Sequence, residues 1–339
     1  MSLSVGIVGF PNVGKSTLFE TLTKKRVDCS NYAFCTIDPN VGVVFVPDFR
    51  VKRLADIFSP RRVVYSSIEF TDIAGLVEGA SRGEGLGNRF LSHVRRVDAI
   101  VYVLRAFEDS SVISTRDEVD PLRESDLLDT ELALKDLETV EKRMQKARKE
   151  NAVFEKSVLF KAYKALESES DLFKQEFSEE EKILLHSYGL LTMKPKIYVL
   201  NGSASLNFSK TPFVAMDIVE ENQSAGLSPE ERVSLGLSEE VKTDELVKKC
   251  YELLDLITFF TIGEDEVRAW KTERGSRAPR AGGVIHSDFE NKFIKAEVIN
   301  WSDLVSQGGL VQAKKKGLVR LEGKDYVVQD GDVIEIKHG

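Results

Sequence analysis

Gly9-Phe-Pro-Asn-Val-Gly14-Lys15-Ser16, near the start of a chain of 339 residues, is the most informative stretch of the sequence. It matches the pattern G-x-x-x-x-G-K-[ST]. An apolar run at residues 3–8 precedes it, and a helix-forming run at residues 15–25 follows. Strand, glycine-rich loop and helix, in that order, are the setting in which this pattern binds phosphate. The glycines let the backbone wrap close to phosphate oxygens. The loop N–H groups and the helix N-terminus then form a concave positive site. Lys15 reaches the β- and γ-phosphates there, and the Ser16 hydroxyl coordinates Mg²⁺.

Residues 40–46, 67–71 and 100–104 read as further strands alternating with helices. That alternation implies an α/β fold with a mostly parallel sheet covered on both faces. Residues 126–187 change character and are rich in Glu, Lys, Leu and Ala. Leu137, Val140, Met144 and Ala147 repeat at heptad-like spacing, and the seam continues through Asn151, Phe154 and Val158. With a turn near Glu150-Asn151, this predicts an antiparallel helical hairpin. Ser178-Glu-Glu-Glu181 is a capping-box-like start for a further short helix. Sheet pattern returns at residues 196–200 and 213–216, followed by an amphipathic helix over residues 244–255. The hairpin, residues 126–187, is therefore expected as an insertion in one α/β domain made of residues 1–125 and 188–256. Residues 257–339 are expected to form a small β-rich domain. Their tail, residues 318–336, alternates like a β-hairpin with turns at Gly323 and Gly331.

Composition narrows the function classes. Apolar residues make up 42% and charged residues 30%, as in folded globular proteins rather than disordered tails. The net charge of −8 argues against a bulk polyanion binder, so any nucleic-acid contact needs a local basic patch. Cys29, Cys35 and Cys250 form no CxxC and no even framework, which argues against a disulfide- or zinc-built protein. No apolar run reaches the roughly 18 residues that a bilayer span needs. The first residues read as a strand and not a leader peptide, so a cytoplasmic protein without membrane contact is expected.

A second phosphate-site signal is Asp72-Ile-Ala-Gly75, directly after the strand at residues 67–71. A carboxylate at that strand end can hold Mg²⁺ through water. The Gly75 N–H can meet the γ-phosphate, a hydrogen bond that hydrolysis removes. Thr36, between the first helix and the next strand, can complete the Mg²⁺ shell. GTPases read guanine with Asn-Lys-x-Asp at the end of a later strand. Here that place reads Asn201-Gly202-Ser203-Ala204, with no carboxylate in the fourth position. Losing a charged partner for a buried donor costs about 1.5–3 kcal/mol, enough to remove a strong GTP preference. An amide such as that of Asn201 can instead serve adenine N6 and N7.

Together with residues 31–42, 72–88 and 129–137, the phosphate loop resembles the YchF/Obg-like ATPase family. Residues 259–271 and 281–290 resemble that family's C-terminal TGS domain, so the likeness covers essentially the whole chain. It implies a P-loop GTPase-type domain that uses ATP, an inserted antiparallel coiled coil and a ubiquitin-like TGS domain. It also implies association with ribosomes and with stress and redox responses. Carried over by position, Asn12, Val13, Gly14, Lys15, Ser16 and Thr17 bind phosphate, and Asn201, Gly202 and Ser203 flank the base. Ser16, Thr36 and Asp72 attend Mg²⁺. Asn12 resembles the Asn of potassium-stimulated members of the wider class, which raises an expectation of K⁺.

Three departures, at four positions, bear on the chain's chemistry. Gly202 and Ala204 stand where the family carries a bulky residue and Glu, which implies a weaker or differently placed hold on adenine. Ser114 stands where the family often has a His proposed to assist hydrolysis, and Ser is no base near pH 7 without an activating partner. Leu76 follows Gly75 where Ras-type enzymes have Gln, a departure shared with the family. With neither Gln nor His, Lys15, Mg²⁺, Gly75 and other backbone donors carry catalysis, and slow intrinsic turnover is expected. The reading is a Mg²⁺-dependent ATP-hydrolysing switch, monomeric, meeting a ribosome or ribosomal RNA through its TGS domain and helical hairpin. Two alternatives stay open: a ribosome-binding module that keeps ATP as a structural ligand, and a GTPase of the same fold. His93, His186, His286 and His338 have no metal-ligand spacing, and Cys35 reads first as a packing residue. Lys314-Lys-Lys316, near Arg320, is the best local basic patch in the sequence.

Overall fold

Val5 and Ile7 are fully buried in β1 (Ser4–Val8), and the strands assemble around it. A computed structural model of the chain describes residues 3–24, 40–73, 88–107, 119–168, 170–202 and 208–339. Thr36, Gly75, Leu76, Ser114, Ser203, Ala204, Cys29 and Cys35 lie outside those stretches. The chain divides into two units, Met1–Val43 with Glu69–Leu246, and Val44–Ile68 with Val247–Gly339.

The first unit continues from β1 through α1 (Lys15–Lys24) into β2 (Val41–Phe45). The chain then leaves for the second unit as α2 (Phe49–Phe58) and β3 (Arg62–Val64), and returns along β4 (Ser67–Asp72). After α3 (Asn88–Arg96) and β5 (Ala99–Ala106) comes the helical hairpin, α4 (Pro121–Lys149) and α5 (Val153–Glu167), then α6 (Glu179–Ser187). Next come β6 (Lys196–Gly202), β7 (Phe213–Met216), α7 (Ile218–Gln223), α8 (Pro229–Ser234) and α9 (Lys242–Leu253). The strands form one sheet in the order β2-β4-β1-β5-β6-β7. β1 runs parallel to β4 and β5, β5 to β6, and β6 to β7. Every residue of β5 is buried, as a parallel strand covered on both faces requires. Each buried Val, Leu or Ile there contributes about 1.5–3 kcal/mol. Because these neighbours are parallel, their carboxyl ends share one edge, and in open α/β sheets that edge holds the ligand.

In the hairpin, α4 has 29 residues and is about 43 Å long at 1.5 Å per residue. It starts earlier than the expected residue 126, because the Asp120 carboxylate accepts the Arg123 N–H at 2.9 Å and Pro121 opens the first turn. The turn falls at Asn151, whose φ of +53° is a left-handed value that Asn tolerates. Val140 and Ala147 pack with Val158, Leu159, Ala162 and Leu166. Phe154, expected in this seam, is instead 51% exposed at the start of α5. The heptad count does not survive the turn, since the αL residue resets the phase of the second helix. Before α6, Ser178 and Glu181 make the expected capping box.

Two polar clusters tie the hairpin to β6 and to the segment that leads into it. Buried Asp136 on α4 accepts the Leu191 N–H at 2.9 Å, the Thr192 N–H at 2.8 Å and the Thr192 hydroxyl at 2.7 Å. Lys196, in β6, pairs with Asp129 on α4 at 2.8 Å and with Asp171 at 2.6 Å. Lys210 pairs with Asp129 at 2.8 Å and with Asp126 at 2.7 Å, and the Tyr102 hydroxyl donates to Asp129 at 3.1 Å.

The second unit adds β8 (Leu256–Ile262), β9 (Glu266–Glu273), α10 (Ala278–Ile285) and α11 (Ser287–Asn291). Then follow β10 (Phe293–Asn300), α12 (Trp301–Ser306), α13 (Leu310–Lys315), β11 (Arg320–Glu322) and β12 (Asp332–His338). Its sheet has the order β11-β10-β12-β8-β9-β3. Neighbouring residues feed opposite faces: Phe259, Val298 and Ile334 join one core cluster, and Phe260, Ile299 and Val333 the other. Val51 and Leu54 of α2 belong to the second of these clusters. The segment from residue 44 to residue 68, expected in the nucleotide domain, is thus part of the C-terminal unit, where β3 pairs with β9. The expected hairpin over residues 318–336 does not form either. β11 and β12 both pair antiparallel with β10, on opposite sides of it. Asp332 ties down the chain between them, accepting the Tyr326 hydroxyl at 2.7 Å and the Gln329 N–H at 2.9 Å. Among the described residues, no helix is long and apolar enough to cross a membrane.

Candidate functional site

The sheet's carboxyl edge gathers the ends of β1, β4, β5 and β6. The loop after β1 turns on Asn12, at φ +63°, and Gly14, at φ +103°. A Cβ at Gly14 would come 2.7 Å from Asn201 Nδ2, so this position needs glycine for both its angle and its space. Val13 is buried beneath the loop, while Asn12 and Ser16 are exposed and Thr17 is half-buried.

Lys15 opens α1 and is 8% exposed, and its ammonium donates to the Phe10 carbonyl at 2.7 Å. Burial lowers its pKa from the ordinary lysine value, against the opposing pull of Asp72 and then Glu124. A lysine held in its own loop, short of solvent and beside two carboxylates, is poised to meet a polyanion.

Asp72 ends β4, one register step from the loop, opposite Ile7 of β1. The Ser16 hydroxyl donates to Asp72 Oδ2 at 3.3 Å. Asp72 Oδ1 is buried and has no hydrogen-bond partner among the described residues. Leaving such an oxygen unpaired costs about 1–3 kcal/mol or more. A hydroxyl and a carboxylate with a spare buried lone pair are hard oxygen donors, the set that suits Mg²⁺. The residues present therefore fit the ion that the loop pattern implies.

Asn201 ends β6 and is 7% exposed. Its Nδ2 donates to the Val13 carbonyl at 3.0 Å, and its Oδ1 accepts the Ile218 N–H of α7 at 3.1 Å. The amide, expected to face adenine, is thus engaged with backbone on both sides and braces the phosphate loop. Gly202 follows at φ +124°, where a Cβ would lie 2.3 Å from the Ala106 carbonyl. The absence of the family's bulky residue at this position therefore matches the backbone. Asn201→Ala removes both braces. It is expected to weaken Mg·ATP and Mg·GTP binding together by about tenfold, at roughly 1–1.5 kcal/mol for the lost bonds. The ratio of the two affinities stays unchanged. Titration with both nucleotides checks this, and a selective loss of ATP would restore the base-reading role.

Asn12, Val13, Gly14, Lys15, Ser16, Thr17, Asp72, Asn201 and Gly202 are thus gathered at one edge. Thr36, Gly75 and Ser203 lie outside the described residues. Glu124 escaped the sequence reading. It lies in the first turn of α4, accepts the Arg105 N–H at 3.1 Å and acts electrostatically on Lys15. The Asp120-Pro121 cap was the signal that would have placed it on a helix.

Comparison with known proteins agrees with this geometry. Residues 4–162 match a family model described as "50S ribosome-binding GTPase". Residues 256–339 match that of the YchF GTPase C-terminal region, described as "Protein of unknown function (DUF933)". The "Ribosome-binding ATPase YchF" of Bacillus subtilis is 46% identical, over 99% of this chain and 99% of its own. The protein of that name from Haemophilus influenzae is 43% identical, again over 99% of each chain. "Obg-like ATPase 1" of Oryza sativa is 39% identical, over 99% of this chain and 92% of its own. The solved structure of the Schizosaccharomyces pombe YchF GTPase superposes with a TM-score of 0.89 at 36% identity, covering 99% of this chain and 98% of that one. Likeness of this extent, in sequence and in fold, places the chain in the YchF/Obg-like ATPase family.

Proposed function

We propose that the chain is a Mg²⁺-dependent, ATP-hydrolysing nucleotide switch that works in association with the ribosome. The observation that carries it is the pairing of a phosphate loop with Asp72, whose buried Oδ1 lacks a partner among the described residues. The names of the relatives supply the ribosome and the preference for ATP.

In this reading the loop N–H groups and α1 bind the phosphates, and Lys15 leaves the Phe10 carbonyl for the β- and γ-phosphate oxygens. Ser16 and Asp72 hold Mg²⁺, with Thr36 as a further ligand. Bound Mg²⁺ neutralises charge that develops on the phosphate oxygens. Asn201 keeps the loop in register, and Gly202 and Ser203 flank the base. Gly75 senses the γ-phosphate through its N–H. The stabilising charge and donors come from Lys15 and Gly75, and Leu76 and Ser114 supply no base. Turnover is therefore slow until the partner supplies a group. We assign the helical hairpin and the TGS-like C-terminal unit to the ribosome, a K⁺ contact to Asn12, a monomeric state and a cytoplasmic location.

Turnover of Mg·ATP and Mg·GTP, with and without ribosomes, in potassium and in sodium, tests the reading. The expected result is ATP above GTP, higher in potassium, stimulated by ribosomes and abolished by chelating the metal. GTP hydrolysed as fast as ATP would overturn the base assignment. Release of phosphate at the uncatalysed rate in every condition would leave ATP as a structural ligand.

A further inference from the structure

Residues 142–149 of α4 read Lys-Arg-Met-Gln-Lys-Ala-Arg-Lys, with five basic side chains and no acidic one. They occupy the far end of the helical hairpin. Lys142, Lys146, Arg148 and Lys149 are exposed there, as is Lys156 near the start of α5. Glu150 pairs with Lys146 at 3.7 Å, and Glu155 accepts the Tyr188 hydroxyl at 2.6 Å. Among the described residues, Arg148, Lys149 and Lys156 make no ion pair. In the same turn Val153 is 80% exposed and Phe154 is 51% exposed. The hairpin's own core does not use either side chain.

We propose that the hairpin tip is an RNA-binding wedge, in which Phe154, flanked by Val153, stacks on an unpaired base while Lys142, Arg148, Lys149 and Lys156 hold the adjoining phosphates. The inference rests on the ribosome-associated reading and adds to it a defined place of attachment. An exposed aromatic ring set among cations is the chemistry that recognises single-stranded RNA. An acidic protein surface would satisfy the cations but would leave Phe154 facing charge. The chain carries a net charge of −8, so a positive tip turns this end, rather than others, toward a polyanion. The basic patch picked from sequence alone is more nearly neutralised: Lys314 pairs with Glu297 at 2.7 Å, and Arg320 with Glu322 at 3.1 Å.

The test uses the full chain, a short single-stranded RNA oligonucleotide, a polyglutamate peptide and purified ribosomes. The variants are Phe154→Ala and the double change R148E/K149E, with K315E/K316E as the control. All alter exposed side chains, so Tm and basal ATP turnover serve as folding checks. Phe154→Ala is expected to weaken RNA binding about tenfold at an unchanged salt slope. R148E/K149E is expected to weaken it about tenfold or more and to flatten the slope by more than about one unit. The control binds like the parent chain, and ribosome pelleting falls in both tip variants. RNA binding that is absent in the parent chain, or untouched by the tip variants, overturns the wedge. So does tip-dependent binding of polyglutamate without RNA. Ribosome pelleting that survives both tip variants removes the wedge and leaves the ribosome reading standing. Tip-dependent RNA binding without pelleting of the parent chain does the reverse.

Discussion

Lys15→Met lowers single-turnover ATP hydrolysis by about a hundredfold or more, because one preorganised donor in such a site is worth about 2.7–4 kcal/mol. The lysine is 8% exposed, and its ammonium lies 2.7 Å from the Phe10 carbonyl. Burial already disfavours that charge, as its lowered pKa records. Without phosphate the ammonium is therefore a burden on the fold, relieved in part by Asp72 and Glu124. With phosphate it becomes the principal positive charge supplied by the chain at the reacting end. Methionine keeps the unbranched stem and removes the charge. Tm is expected to hold or rise slightly while the rate collapses, and that opposite movement separates a catalytic role from a structural one. Rapid-quench hydrolysis and thermal unfolding measure the two. A rate within about threefold of the parent chain would mean that Lys15 does not reach the phosphates.

Lys196→Met is expected to cost about 3 kcal/mol of stability, the lower end for breaking a buried ion pair from one side. The Lys196 side chain is 4% exposed and holds Asp129 at 2.8 Å and Asp171 at 2.6 Å. Lys210 still neutralises Asp129 in the variant, whereas Asp171 loses its ammonium partner. The effect depends on pH. For Asp129, burial raises the pKa, but the two lysines outweigh burial and bring it below the ordinary value of 3.8. A carboxylate with a depressed folded-state pKa contributes its full stabilisation above about pH 4 and loses it as pH falls through the lowered value. The stabilisation lost in the variant is thus widest above about pH 4, and the gap to the parent chain narrows as pH falls through the lowered value. Urea unfolding across the acid range measures this. A loss under about 1 kcal/mol at neutral pH would mean that water screens the pair as on a surface.

The sequence disclosed what is local and withheld what is made by pairing. Residues 9–16 were legible because the loop, the strand before it and the helix after it are one continuous segment. Asp72 was legible because it lies at the end of its own strand. The bracing role of Asn201 was not, since it depends on Val13, which is 188 residues away. Residues 44–68 carried a sound strand and helix pattern, but periodicity does not say which sheet a segment joins. Residues 318–336 alternated correctly and still chose β10 over each other, because alternation fixes a face and not a neighbour. Phe154 obeyed the heptad and not the core, since the turn at Asn151 intervened.

The second unit draws on two stretches, Val44–Ile68 and Val247–Gly339. During synthesis the first stretch leaves the ribosome long before the second exists. Residues 69–246 must all be made in between. Domains generally fold as units as they emerge, N-terminal first. This unit cannot, because the strands that bury Val51 and Leu54 come last. For most of translation α2 is therefore an amphipathic helix without its sheet, a natural client for chaperones. A chain cut short before β8 would expose this apolar face permanently and mark itself for proteolysis. Synthesis of residues 247–339 thus completes the packing of residues 44–68 as well.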